Sequence, residues 1–368
     1  MLDNRALPGA GAGRGMKGPG GGTAGSGMDG GADGGIRELV LRWPWADEPP
    51  APGQFVEVSP QPRSAGAGAG LDPFLPRPFS IAWWQPDAGA APAASAVAGS
   101  RIGLWVRAAG RGSAWLSRVR SGDALRVTGP LGHGFRLPAA AQSQHVQPGG
   151  ALLRAARSES GHPQPAQPQY AQTGGVSAAP GAAGAPIYLI GGGTGVAPLL
   201  FVAQALARAG RVPHAEQTGG LPPAGRPGPV HAFIGAATRA QLVGEAELTH
   251  AGAQVTLATD DGSAGFRGNV VQALAARWSQ NPPRPGTLLY ACGPKAMLRA
   301  LADLCRRHGL QGWEAQASLE ERMACGIGVC LSCICTVRET AQAGSRQHRR
   351  VCYDGPVFPL DQVLWDEE

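Results

Sequence analysis

APIYLIGGGTGVAPLLFVAQALA, residues 185–207, is an uncharged, mostly apolar stretch that approaches the length of a bilayer span. Three consecutive glycines, Gly191, Gly192 and Gly193, and the internal Pro198 divide it. A short strand (IYLI), a small-residue turn (GGGTG) and a helix with proline near its start explain it better than a membrane helix. The same grammar recurs downstream. HAFIGAA leads towards a helix near 238–249, QVTLATDDG follows, and TLLYACGP runs into KAMLRALADLCRRHG. Strands alternating with helical runs predict a parallel, doubly wound α/β sheet over residues 186–314.

Upstream the texture differs. IRELVLRW, PGQFVEVS, RPFSIAWW, RIGLWVRAAG and ALRVTGPLG are short strands parted by Gly/Pro turns, which predicts an antiparallel sheet or small β-barrel over residues 36–137. The stretches 61–70, 85–100 and 211–229 are rich in Gly, Ala, Ser or Pro and read as loop insertions. Residues 138–185 have no helical or strand period and are too long for an ordinary connection, so they mark a linker between domains. Residues 1–35 are nearly all Gly, Ala and scattered polar residues, and read as a disordered tail. Glycine (57) and proline (33) make up about a quarter of the 368 residues, which is why so much of the length falls outside the domains.

Charge and leader signals narrow the function. The net charge of +6 comes from dispersed Arg, with no Lys/Arg run interleaved with aromatics, which argues against nucleic-acid binding. The tail lacks the continuous apolar core of a signal peptide, so a cytoplasmic chain that enters no membrane is expected.

Residues 315–368 form a third unit, built around MACGIGVCLSCIC. Cys325, Cys330 and Cys333 follow C-x4-C-x2-C, and eighteen residues separate the third from Cys352. This is the plant-type spacing for a [2Fe-2S] cluster: three thiolates from one tight loop and a fourth from a returning segment. Gly326 and Gly328 let the backbone wrap a bulky anionic core. Zinc sites usually pair two C-x2-C knuckles and only one is present; disulfides suit neither a cytosolic chain nor an odd total of seven cysteines. Cys335 offers an alternative ligand through C-x-C, but the set is complete without it and a small buried residue is the preferred reading. Cys305 falls on the apolar face of a helix and reads as core.

Two turns at strand ends of one sheet, Gly191–Gly192–Gly193–Thr194–Gly195 and Cys292–Gly293–Pro294, lie where open α/β sheets bind ligands. The first lacks the full G-x-G-x-x-G fingerprint, and a turn needed only for packing is the competing reading. The carboxylates of ATDDG either contact a ribose or solvate a turn. In the first domain Arg77 of RPFS is suited to a phosphate, and the glycines and Ser113 of GRGSAWLSRV stand where a helix begins, either as an anion site or as a plain N-cap. His133 and His308 read as turn and helix-end residues, and no paired-carboxylate or Ser/His/Asp constellation stands out.

Taken together, PGQF, RPFSI, GRGSAWL with GDALRVTGPLGHGF, LIGGGTGVAPL, ATDDGS, YACGPKAML, ERMACGIGVCLSCIC and VCYDGPVF make the chain resemble the electron-transfer subunits of class 1B dihydroorotate dehydrogenases, within the ferredoxin reductase superfamily. The resemblance runs from about Gln54 to Val357, apart from the insertions. It implies FAD held by Arg77, Pro78, Phe79 and Ser80, by Trp105, Val106 and Arg107, and by Gly112 and Ser113. It also implies NAD beside the two turns, and a [2Fe-2S] cluster on Cys325, Cys330, Cys333 and Cys352. The implied partner is an FMN-containing catalytic subunit that oxidises dihydroorotate in pyrimidine (UMP) synthesis, assembled as a heterotetramer of two of each. Ser113 stands where threonine is commoner, and the first strand before Ile36 is eroded into the tail. A reductase subunit of a sulfide dehydrogenase or a ferredoxin-NADP oxidoreductase would share these domains; a zinc-stabilised binding module is the non-catalytic alternative.

Overall fold

The computed structural model describes residues 3–7, 35–43, 49–62, 73–86, 100–138, 184–209, 228–339 and 345–366. The expected linker 138–185, most of the expected tail and the insertion 211–229 lie largely outside them.

The first domain is a six-stranded antiparallel sheet, the barrel-like unit expected. Its strands are β1 (Asp3–Ala6), β2 (Ile36–Trp43), β3 (Phe55–Pro62), β4 (Arg77–Pro86), β5 (Ser100–Arg107) and β6 (Leu125–Leu131), in the order β1-β2-β5-β4-β3-β6. A short helix, α1 (Arg111–Leu116), follows β5. Leu39, Leu41, Val56, Val58, Ile81, Ile102, Leu104 and Val106 fill its interior. Strand β1 corrects the reading of residues 1–35 as wholly disordered: Asp3–Ala6 pairs with Arg37–Val40. Backbone hydrogen bonds to the open edge of β2 hold it, with Leu7 buried beyond and the Asn4 amide donating to the Ser117 carbonyl at 3.2 Å. Main-chain pairing needs no apolar periodicity, so composition did not reveal it.

The second domain is the doubly wound sheet. Strands β7 (Ile187–Gly192), β8 (Val230–Ala236), β9 (Gln254–Thr259), β10 (Phe266–Arg267), β11 (Leu288–Cys292) and β12 (Ala315–Ser318) are all parallel, in the order β10-β9-β8-β7-β11-β12. Helices α2 (Val196–Arg208), α3 (Glu245–His250), α4 (Val270–Gln280) and α5 (Lys295–Arg307) connect them. Helix α2 is buried on nearly every side because it lies between this sheet and the barrel: Phe201 sits in the barrel core, and Arg208 donates to the Trp84 carbonyl at 2.7 Å. That double burial accounts for its long, mostly apolar run. Among the described residues no helix is long and apolar enough to cross a membrane.

The third unit holds the cysteine loop, a hairpin of β13 (Ile334–Arg338) and β14 (Arg346–Arg350), the single turn α6 (Val351–Asp354), and β15 (Val357–Pro359). The chain then re-enters the α/β sheet, with β15 antiparallel to β12. The expected boundary at residue 315 is therefore corrected. Ala315–Ser318 is a strand of the nucleotide sheet, and the third unit is an excursion between β12 and β15. Its DGP turn also docks on the barrel, where the His133 amide donates to the Gly355 carbonyl at 2.6 Å.

Candidate flavin, nucleotide and iron–sulfur sites

Strand β7 is central, with β8 on one side and β11 on the other, so the chain reverses its winding between β7 and β11. Crevices at such points take ligands beyond the carboxyl ends of the strands. Both small-residue turns emerge there, with Gly191 and Cys292 partners in register. They are packed on each other: a Cβ added to Gly195 would overlap the Cys292 carbonyl and come within 2.8 Å of the Gly293 nitrogen. A Cβ on Gly192 would lie 2.8 Å from the Pro294 ring. Thr194 lies in the short 3-10 turn between strand and helix.

The barrel reaches this crevice through the end of β5. A Cβ on Gly193 would come within 2.9 Å of the Arg107 guanidinium. Trp105 is buried against the nucleotide domain beside Gly244, with its indole N–H towards the Glu38 carboxylate at 3.4 Å. The Val106 side chain points into the barrel core, and Arg37 on β2 is its register partner. On the neighbouring strands Arg77 lies over α1: a Cβ on Gly112 would meet its Nε at 2.6 Å. Arg77 also donates to the Leu75 carbonyl at 2.7 Å. The Ser113 hydroxyl accepts from the Ala109 and Gly110 amides, both at 3.0 Å, so it stitches the turn before the helix in the manner of the N-cap alternative. Pro78 and Ser80 stand opposite Glu57 and Phe55 on β3, and Phe79 packs against the barrel core. The structure thus brings Arg77 to Gly112, and Arg107 to Gly193.

Two acidic residues were not singled out by sequence, Glu320 beside the Cys292 turn and Glu57 under the cysteine loop. The Cys292 thiol lies 3.9 Å from Glu320 Oε1. Burial raises the pKa of both, and Arg107 pulls that of Glu320 back down. Glu320 lies just past β12, where no motif marked it. Glu57 sits inside PGQFVEVS between the core residues Val56 and Val58, where alternation puts a polar residue on the other face, so nothing in the sequence marked it. The ATDDG carboxylates divide: Asp261 accepts from the Ser263 amide at 2.9 Å and hydroxyl at 2.6 Å, which lowers its pKa, so Asp261 closes its own turn.

In the cysteine loop Gly326 (φ 68°), Gly328 (φ 84°) and Leu331 (φ 59°) adopt left-handed backbone, which curls the chain tightly. Cys325 influences the Cys330 thiol, and Cys333 that of Cys352. The Cys352 amide points at the Cys333 sulfur at 3.4 Å. Among the described residues no three such groups converge on the position of a single ion. The C-x4-C-x2-C loop with the returning Cys352 is the donor set of a two-iron core, whereas zinc sites usually pair two C-x2-C knuckles. Arg350 ties the loop to the returning segment: it grips the Asp354 carboxylate at 3.0 and 3.2 Å and donates to the Gly328 carbonyl at 3.3 Å. Cys335 lies on β13, packed against the neighbouring core, and burial pushes its pKa up to about 12.

The model for the iron–sulfur cluster binding domain of dihydroorotate dehydrogenase B matches residues 320–364, which include Cys325, Cys330, Cys333 and Cys352. That for the oxidoreductase NAD-binding domain matches residues 189–303. The electron transfer subunit of dihydroorotate dehydrogenase B (NAD(+)) from Bacillus caldolyticus is 31% identical over 327 residues, 89% of this chain and 92% of the relative. The chain belongs to this family. The electron transfer subunit from Desulforamulus reducens is 29% identical over 315 residues, covering 86% of this chain and 87% of its own. Among solved structures, the NADH-dependent reduced ferredoxin-NADP oxidoreductase studied for flavin-based electron bifurcation superposes with a TM-score of 0.57 at 22% identity. It covers 90% of this chain and 86% of its own, and shows the shared fold.

Proposed function

We propose that this chain is the subunit that carries electrons from a dihydroorotate-oxidising catalytic partner to NAD, in the route to UMP. The observation that carries this reading is the position of the barrel: Arg107 meets the nucleotide turn at Gly193, while β3 packs under the cysteine loop at Gly326. Bound FAD would exchange a hydride with nicotinamide and single electrons with the cluster, joining two-electron and one-electron chemistry.

The chain's own residues bind, orient and shield. Arg77 offers a planar guanidinium beside Gly112, fitted to the flavin pyrophosphate. The small turns let the nicotinamide nucleotide approach the backbone closely at Gly191–Gly195 and Cys292–Pro294. Cys325, Cys330, Cys333 and Cys352 hold the cluster, and the Cys352 amide directed at the Cys333 sulfur stabilises its charge. Glu320 and Arg107 place opposite charges at the meeting point of flavin and nucleotide.

The loop also explains why a partner is needed. Ile327, Val329, Leu331 and Tyr353 expose 48%, 72%, 58% and 38% of their surface around the ligand cysteines. Such an apolar collar about a redox centre fits a protein surface that brings a second flavin, FMN, close to the cluster. A cytoplasmic assembly of two of each subunit is the form we propose. Co-expression with the catalytic subunit tests the whole reading. The expected product is a brown complex containing FAD, FMN and iron that reduces NAD when given dihydroorotate. A chain that purifies colourless, or with no FMN partner, overturns it.

A further inference from the structure

Glu57 serves neither the flavin nor the nucleotide contacts above. It lies in β3 with Pro78 and Thr128 as its register partners, and the strand's alternation sends Val56 and Val58 into the barrel core. Phe55 and Glu57 face the other way, towards the iron–sulfur unit. Its side chain is only 2% exposed, and both carboxylate oxygens are buried with no hydrogen-bond partner. A carboxyl buried without partners is a standing penalty, and such groups survive where they have a task. What closes over this one is the cysteine loop: a Cβ on Gly326, next to Cys325, would lie 2.7 Å from Glu57 Cγ and 3.1 Å from Oε1. The charged and titratable groups that act on it are Arg77, from the flavin side, and Cys330, from the cluster side.

We propose that Glu57 is a positioning residue for charge: its buried carboxylate sets the reduction potential of the iron–sulfur cluster by opposing the electron the cluster gains. The inference rests on the cluster assigned above. Reduction adds one negative charge to the cluster and makes or breaks no bond at Glu57, which acts through space where screening by water is weak. The nearby cation does not cancel it, since Arg77 is directed to Gly112 and would share its charge with the flavin phosphates. A carboxylate here makes the cluster a poorer electron trap, so electrons entering from the partner pass on to flavin and nicotinamide. Burial pushes the Glu57 pKa up to about 7, with Arg77 drawing it down and Cys330 adding to the rise, so the test is run well above that value.

The test is an EPR-monitored redox titration of the holoprotein at pH 9, on the natural chain, Glu57→Gln, Glu57→Met and Glu57→Asp. Gln preserves shape and Met removes polarity. Both relieve an unpartnered buried carboxyl, so both fold at least as stably. The expected result is an intact cluster spectrum in both, with the reduced-to-oxidised ratio at fixed poise raised about tenfold or more. That corresponds to a potential more positive by about 59 mV for this one-electron couple. Glu57→Asp, which keeps the charge, stays near the natural value. Ratios within twofold of the natural chain in Gln and Met overturn the inference, as does loss of the cluster from both, which would mark Glu57 as structural support. Absence of any cluster signal in the natural chain is a separate failure: it overturns the iron–sulfur reading, and this inference with it.

Discussion

Replacing Gly195 by alanine tests whether the two strand-end turns form one nucleotide site. Gly195 has ordinary right-handed backbone (φ −61°, ψ −9°), so alanine meets no conformational strain there. The cost is purely steric. The new methyl would run into the Cys292 carbonyl and lie 2.8 Å from the Gly293 nitrogen. Both are backbone atoms at the end of a central strand, and no side-chain rotation relieves them. Overpacking of this kind costs about 1–3 kcal/mol, and rigid neighbours on one side place it near 2 kcal/mol. If relief comes from parting the turns, the loss falls on nucleotide binding, and about 2 kcal/mol corresponds to roughly a thirtyfold rise in KM for NADH. If relief comes from local loosening, the melting temperature falls by about 4–8 °C. NADH oxidation by the flavin-loaded chain with ferricyanide as acceptor, read beside a thermal melt, separates the two. The EPR signal of the cluster should not change. A variant with KM within twofold of the natural chain and an unshifted melt would refute the packing of these turns and the placement of NAD against them.

Cys352→Ser should abolish the [2Fe-2S] EPR signal, with Cys335→Ser retaining it and its iron content; the opposite pattern would make Cys335 the fourth ligand. Arg77→Ala should weaken FAD retention about tenfold to a hundredfold, the loss of charge-assisted bonds worth roughly 1.5–3 kcal/mol; full flavin content after extended dialysis would show that Arg77 does not hold the phosphates. Burial lowers the pKa of His231 and of His133 below the ordinary 6.5. The unfolded chain therefore binds protons that the folded chain refuses. Their contribution to stability is complete above pH 6.5 and is lost as pH falls towards the folded values. The melting temperature should drop between pH 7.5 and 5.5, less steeply in His231→Gln. An equal slope in that variant would show that His231 is not one of the groups responsible.

The strand, turn and helix of residues 185–207 were legible because three glycines and a proline punctuate an apolar run, and each mark has one local meaning. The cysteine spacing was legible for the same reason: wrapping a cluster is a local constraint on chain length and backbone freedom. What escaped notice was non-local. Strand β1 exists because β2 offers an unpaired edge, and Ala315–Ser318 belongs to the nucleotide sheet because β11 and β15 flank it. Glu320 and Glu57 owe their interest to neighbours distant in sequence, Cys292 and Gly326. Asp261 shows the converse, since a hydroxyl two residues on already accounts for a carboxylate that spacing alone offered to a ribose.

The return of the chain into the sheet as β15 makes metal loading a matter of solubility. Among the described residues the outer edge of strand β12 is covered by β15 and its flanking Pro356 and Leu360, and their path runs through Cys352 and the Arg350–Asp354 clamp. If the iron is lost and the returning segment slackens, β12 becomes a bare sheet edge, the kind of surface along which chains stack. Starved of iron or sulfide, a cell would then accumulate this subunit as aggregate before it accumulated an inactive soluble form.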